Sequence, residues 1–351
     1  MKRRIAVVVL LLTAATVAFA GPTAATPIKW LAVNLGVHTF GHLSAPDAIV
    51  ARGDAHAVGF ECGKPSACGS QSAPGAGCGC LDVLPQGPTA VDVGRDGSVW
   101  VLDGVKHRLL AWQRGQLSRA VPLPADVGDS DFALGKDGTI YVFGGNVHGK
   151  PYLTLYALTR AGRIRWKAPT TVGSSQARLF LAWDGAVYSV GPSATPTWTP
   201  LTTPGGRPLA LGVQRRRSSG LEPLTRDLRL STMQVSQREV HFALVDGAKR
   251  VVRAWRVSSR TSLELGHFLP RAVGSDVVVA LGVYQGRKSE TTILRLGSTG
   301  ATRVRVSLDS RAVWDPEGTT ARSTLRVGPD GRLYQLRTDP ARGVSVARYS
   351  F

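Results

Sequence analysis

After residue 20 the sequence holds no uninterrupted apolar run long enough to cross a bilayer, which excludes a polytopic helical membrane protein. It lacks a G-x-S-x-G nucleophile elbow, an H-E-x-x-H zinc motif and a Gly-rich phosphate loop, so none of those chemistries is announced by a local signature. There is no helix-turn-helix pattern and no zinc knuckle, which argues against dedicated nucleic-acid recognition. No linker-like shift in composition divides the chain, so its 351 residues read as one domain behind a leader. Methionine (2) and cysteine (4) are sparse, whereas Gly (40) and Pro (21) are abundant and favour many short strands and turns over long helices.

Lys2, Arg3 and Arg4 precede an apolar run from Ile5 to Phe19 and the small-residue site Ala18-Phe19-Ala20, the pattern of a signal peptide over residues 1–20 cut before Gly21. The apolar stretch is shorter than the roughly 20 residues a spanning helix needs. The expected location is secreted or periplasmic, with no membrane span once the leader is removed. In that oxidising setting Cys62, Cys68, Cys78 and Cys80 are expected to form two disulfides. A Cys78–Cys80 bond would close a very small ring, so Cys62 and Cys68 are expected to pair with Cys78 and Cys80. His38, His42 and His56 lie upstream, but the C-x5-C-x9-C-x-C spacing is not that of a thiolate zinc site, and no metal is expected there.

Charge is uneven along the chain. The formal net charge is +19, yet residues 21–150 sum to −1 and residues 151–351 to +17. Arginine outnumbers lysine 34 to 9, and Arg215, Arg216 and Arg217 stand together in a polar connection flanked by Pro and Gly. Because guanidinium pairs bidentately with carboxylate and phosphate, these three are the candidate anion-binding residues, for an anionic envelope polymer or a protein partner. The plainer reading is that a basic surface gives solubility.

A repeat of about 47 residues organises the rest. The clearest unit, residues 89–124, contains four expected strands: Ala90 to Val93, Ser98 to Leu102, Arg108 to Gln113 and Gln116 to Leu123. Asp96-Gly97 joins the first two, a hairpin whose turn needs the positive φ that Gly tolerates. Equivalent hairpins stand at Asp137-Gly138, Asp184-Gly185 and Asp330-Gly331, and the long gap before the last accommodates two more units. In one of these, Val245 to Trp255 (VDGAKRVVRAW) aligns with Leu102 to Trp112 (LDGVKHRLLAW). Six such units predict an all-β, six-bladed β-propeller of four-stranded antiparallel blades, a ring that leaves only short sheet edges. The last unit runs out of chain after its third strand, so residues 28–35 (IKWLAVNL) are expected to supply the fourth and close the ring. That leaves 36–88 as a cysteine-containing loop over one face and 89–351 as the blades, within a single domain over 21–351.

Residues 87–112 (GPTAVDVGRDGSVWVLDGVKHRLLAW) resemble an NHL-type propeller repeat, with Lys106 where that family often has Asn. Leu155 to Pro169 is similar to a quinoprotein-like propeller repeat in one copy, and Trp166 within it is expected to be a packing residue. Some families of this kind hold calcium or zinc in the central channel through scattered Asp, Glu, Asn and His, which the resemblance makes an alternative here. Candidates for such a role are Asp103, His107, Asn146 and His148, all more readily read as turn residues. Asp129 and Asp131 precede the second unit's first strand and are the candidate channel ligands. The expected function is a non-catalytic, monomeric binding or scaffold propeller without a cofactor. The alternative is a metal-dependent enzyme of lactonase, esterase or lyase type, using Ca or Zn at the channel mouth.

Overall fold

The computed structural model describes residues 28–59, 87–127, 131–145, 152–173, 177–191, 197–265, 271–286, 288–306 and 323–351. Six sheets form the blades of a β-propeller, and the described residues contain one helix, Leu211–Arg217. Blade one is Ala90–Val93, Val99–Asp103, Arg108–Gln113 and Gln116–Pro122, within a residue or two of the sequence expectation. Its first hairpin closes because Gly97 takes φ 76°, while Asp96 Oδ1 accepts the Ser98 N–H at 3.2 Å and the Ser98 hydroxyl at 2.6 Å. The same device recurs in blades two, three and six: Gly138, Gly185 and Gly331 are left-handed, and Asp137, Asp184 and Asp330 accept the N–H two residues on.

The core is a set of seams between blades rather than one central mass. Leu102, Leu109, Phe132 and Ile140 meet between blades one and two, and Val101, Trp112, Leu336 and Val346 between blades six and one. Strands such as Val99–Asp103 are buried on both faces and therefore read as continuous apolar runs. The aligned tryptophans take different places: Trp112 lies on the third strand of blade one and faces blade six, whereas Trp255 lies on the fourth of five strands in blade four and faces blade five. Each indole is buried and donates to a backbone carbonyl, Trp112 to Arg52 at 2.8 Å and Trp255 to Gly297 at 2.9 Å. Trp166 packs at the seam of blades two and three, 6.1 Å from the Tyr141 ring, as a packing residue should.

The ring closes differently from the expectation. Ala48–Gly53, not residues 28–35, is the fourth strand of blade six, antiparallel to Gly343–Tyr349. Trp30–Asn34 instead lies parallel to Val251–Ser258 as the outer strand of blade four, with Leu31 and Val33 turned into the seam with blade five. Glu222–Pro223, Leu228–Ser236, Glu239–Asp246 and Val251–Ser258 already give blade four four strands, so Trp30–Asn34 adds a fifth at its outer edge. The N-terminal segment thus extends blade four before it completes blade six.

Between these two strands, residues 35–47 cross the outside of blade five as a strap. Ser44 exchanges hydrogen bonds with the Arg305 backbone, and Arg305 Nη1 donates to the Thr39 carbonyl at 3.4 Å. His38 is buried against Glu290, Nε2 to Oε2 at 2.6 Å, so this histidine anchors the strap. Part of the expected 36–88 loop is therefore strap and closing strand. Beyond it, residues 54–59 dock on blade one, where Asp103 accepts the Gly59 N–H.

Among the described residues, blade three consists of Arg178–Leu181, Val187–Val190 and Trp198–Pro200. The helix that follows packs beside its edge, pinned by buried Gln214, which accepts the Thr171 N–H at 2.9 Å and donates to the Leu209 carbonyl at 2.8 Å. The polar connection expected around Arg215, Arg216 and Arg217 is thus the last turn of a helix.

Candidate functional site

The innermost strands of the blades end around one cavity of about 360 Å³, within the size range of small-molecule sites. Every blade contributes: Asp92 and Arg95 from one, Leu134 and Lys136 from two, Phe180 and Trp183 from three, Leu224 from four, Arg271 from five and Arg326 from six. Inner strands face the axis and cannot pair with one another across it, so their inward groups need other partners. Carboxylates supply some. Asp92 accepts the Leu134 N–H across to blade two, and Asp131 accepts the Leu179 N–H across to blade three, at 2.8 and 2.9 Å.

Arg326 lines the floor of the cavity. From blade six its guanidinium reaches the Val91, Phe132 and Leu179 carbonyls of blades one, two and three, and Nη2 lies 3.1 and 2.9 Å from the two oxygens of Asp131. Asp131 also accepts the Phe132 N–H and the Ser323 hydroxyl, at 2.9 and 2.6 Å. Both oxygens are then fully engaged, so Asp131 lies on the axis but has no lone pair left for a ligand. Arg178 is buried beside this pair. Burial lowers its pKa to about 10, with Asp131 opposing the shift and Arg326 adding to it.

Above the floor the cavity is cationic. Among its described lining residues, Asp92 is the one carboxylate against Arg95, Lys136, Arg271 and Arg326. Burial pushes the Asp92 carboxyl up from the ordinary range, partly countered by the Arg326 charge, the Leu134 and Val93 N–H donors and the Arg271 charge. The Arg271 guanidinium is lowered, first by burial and then by Arg326 and Arg95, with Asp92 opposing; its Nη1 donates to the Val327 carbonyl at 2.7 Å. At the rim Trp183 is 39% exposed, with Lys136 Nζ 5.8 Å from its ring centroid.

Glu222 stands two residues before Leu224 of the cavity wall. It is buried, its Oε1 has no hydrogen-bond partner, and burial alone raises its carboxyl well above the usual range. A carboxyl whose folded pKa is raised contributes stability below its unfolded pKa of about 4.3 and loses it as pH rises through the folded value. Glu222→Met is therefore expected to gain about 1–3 kcal/mol at neutral pH, the cost of an unsatisfied buried acceptor. Urea denaturation from acid to alkaline pH checks this: wild-type stability should fall as pH rises, and the variant's should fall less.

Of the described residues singled out from the sequence, Asp131 is the one that bonds across the inner strands of several blades. Arg215, Arg216 and Arg217 are exposed on the helix beside blade three, outside the cavity, where their charges face the negative end of the helix. Asp103 is fully buried and accepts from Gly59, Lys106 and Arg108, a bracket for the 54–59 segment. His107 Nδ1 lies 3.0 Å from the Val127 carbonyl and likewise holds a turn. Asp129, Asn146, His148, Cys62, Cys68, Cys78 and Cys80 lie outside the described residues. The missed residues carried a usable signal. Counting four back from each Asp-Gly turn gives Asp92, Ala133, Phe180 and Arg326, the cavity-lining place of each inner strand.

No family model matches the chain, and no curated protein matches it. Among solved structures it is similar to a putative exported protein of Bacteroides fragilis, at 8% identity over 92% of this chain and 100% of that one, TM-score 0.45. It is also similar to Kuenenia stuttgartiensis hydrazine synthase, at 13% identity over 75% and 76% of the two chains, TM-score 0.42. A third is catalytically inactive virginiamycin B lyase of Staphylococcus aureus with quinupristin, at 13% identity over 76% and 85%, TM-score 0.38. The propeller assignment rests on the six sheets themselves, and these likenesses add no ligand or reaction.

Proposed function

We infer that the chain is an exported, non-catalytic binding propeller whose axial cavity takes an anionic small ligand or the anionic end of a larger one. The observation that carries this is the lining: four cationic side chains and one carboxylate, among the described residues, around a cavity of about 360 Å³. A low-dielectric pocket of one sign focuses its field on an incoming ion, so the excess charge acts more strongly here than on the open surface. The same lining counts against a calcium- or zinc-dependent lactonase, esterase or lyase, because a divalent cation would meet Arg95, Lys136, Arg271 and Arg326 with only Asp92 to hold it. The NHL-like repeat, the signal peptide over 1–20, the two disulfides and a monomeric state belong to this reading as well.

The test uses citrate and calorimetry on the secreted protein. Citrate is expected to bind one-to-one and more weakly as salt rises. Arg95→Ala, a change at an exposed rim residue, should weaken it about three- to tenfold, whereas reversing Arg215, Arg216 and Arg217 to Glu should leave it within about twofold. The opposite ranking would move the anion site to the helix, and no binding by any carboxylate would remove the reading.

A further inference from the structure

The two walls of the axial cavity differ in chemistry. Blades five, six and one bring Arg271, Arg326, Asp92 and Arg95 to one side, and blade three brings Phe180 and Trp183 to the other, with Lys136 Nζ of blade two 5.8 Å from the Trp183 ring centroid. An inorganic anion would use the charged groups and leave the aromatic rings idle. A ligand that uses both carries its charge at one end of a ring. Trp183 stands at the rim with more than a third of its surface open, a platform for the apolar face of such a ring. Asp92 has taken one backbone N–H on each oxygen, from Val93 and Leu134, which leaves acceptor capacity for a hydroxyl group of the ligand. The Arg326–Asp131 pair ties the inner strands of blades six and two together, and a cavity of about 360 Å³ has room for one terminal ring rather than a run of them.

We propose that the cavity binds the terminal ring of an acidic polysaccharide, a uronate whose carboxylate meets Arg271 and Arg95, whose hydroxyls meet Asp92 and whose ring lies on Trp183. This rests on the anion-binding reading above and specifies its ligand. Recognition by an end fits the small volume of the cavity and the net charge of +17 carried by residues 151–351. The rest of a polyanionic chain would lie over the protein surface, held by weak, salt-sensitive contacts.

Calorimetric titration of the secreted protein with galacturonate, galactose, malonate, phenylacetate and trigalacturonate at one ionic strength tests the proposal. Galacturonate is expected to bind about tenfold more tightly than neutral galactose and about tenfold more tightly than acyclic malonate. Trp183→Ala should bring galacturonate down to the malonate level, while Trp183→Phe, which keeps a ring and guards against a folding artefact, should retain most of the affinity. Arg95→Ala should weaken galacturonate and malonate alike. Trigalacturonate should bind one-to-one and within about tenfold of the monomer, since one ring enters. Equal binding of galacturonate and malonate, or no effect of Trp183→Ala, overturns the ring assignment and leaves anion binding standing. Tighter binding of phenylacetate than galacturonate overturns the sugar in favour of an aryl acid. A trimer more than about a hundredfold tighter than the monomer overturns recognition by the end alone. Binding by none of the carboxylates overturns both this proposal and the reading beneath it.

Discussion

Replacing Arg326 by leucine is expected to lower the unfolding free energy by about 3–5 kcal/mol, the cost of leaving one half of a buried ion pair behind. The geometry puts this residue at the upper end of that range. Its guanidinium ties blade six to carbonyls of blades one, two and three and to both oxygens of Asp131, so one substitution leaves orphaned acceptors on three blades. Asp131 would keep the Phe132 and Leu179 N–H groups and the Ser323 hydroxyl, but not its counter-ion. Adding Asp131→Asn to Arg326→Leu removes the stranded charge while keeping one acceptor for those donors. The double variant should therefore be less destabilised than the sum of the singles, by about 0.5–3 kcal/mol. Urea denaturation of the four proteins closes the cycle. Strict additivity, or a loss below about 1 kcal/mol for Arg326→Leu, would show that the floor of the channel is not held by this pair.

Gly343→Ala is expected to cost about 2–5 kcal/mol, by two separable effects. Gly343 sits at φ 90°, a left-handed conformation that penalises any L side chain. A Cβ there would also collide with the Gly53 carbonyl oxygen and the Asp54 backbone, where the closing strand passes over the start of blade six's third strand. Backbone on both sides offers no rotamer through which to yield. Gly41→Ala isolates the first effect, because Gly41 is left-handed at φ 88° but has nothing within 4 Å of the added atom, so about 1–2 kcal/mol is expected. Gly53→Ala probes a softer collision, with side-chain atoms of Val58, Val344 and Trp112 at 2.9, 3.2 and 3.3 Å. The expected order of damage is Gly343 first, then the other two. If Gly343→Ala proved no worse than Gly41→Ala, the ring would not be closed by Ala48–Gly53 in the register described.

Local signals carried most of the blade architecture. Asp96-Gly97 and its three counterparts mark hairpins because a left-handed glycine and an aspartate accepting the N–H two residues on are local requirements, met within a few residues of chain. The match of Trp112 to Trp255 carried less: both indoles are buried at seams, but on opposite sides of their blades and on different strands, which a local likeness does not set. The short helix was missed because its seven residues show no apolar periodicity; only Gln214 is buried, and it is held by hydrogen bonds.

The sequence by itself determined that this chain is an all-β ring of repeated four-stranded units, because hairpin chemistry and strand alternation act over a handful of neighbouring residues. Tertiary structure alone decided where the N-terminal segment goes. IKWLAVNL and AIVARG are both apolar strands with a free choice of edge, and the choice depends on the outer edges of two blades some 200 residues or more away. It also decided the site. Asp92, Trp183, Arg271 and Arg326 are ordinary strand and turn residues along the chain, and they become one cavity only when six inner strands are brought around a single axis.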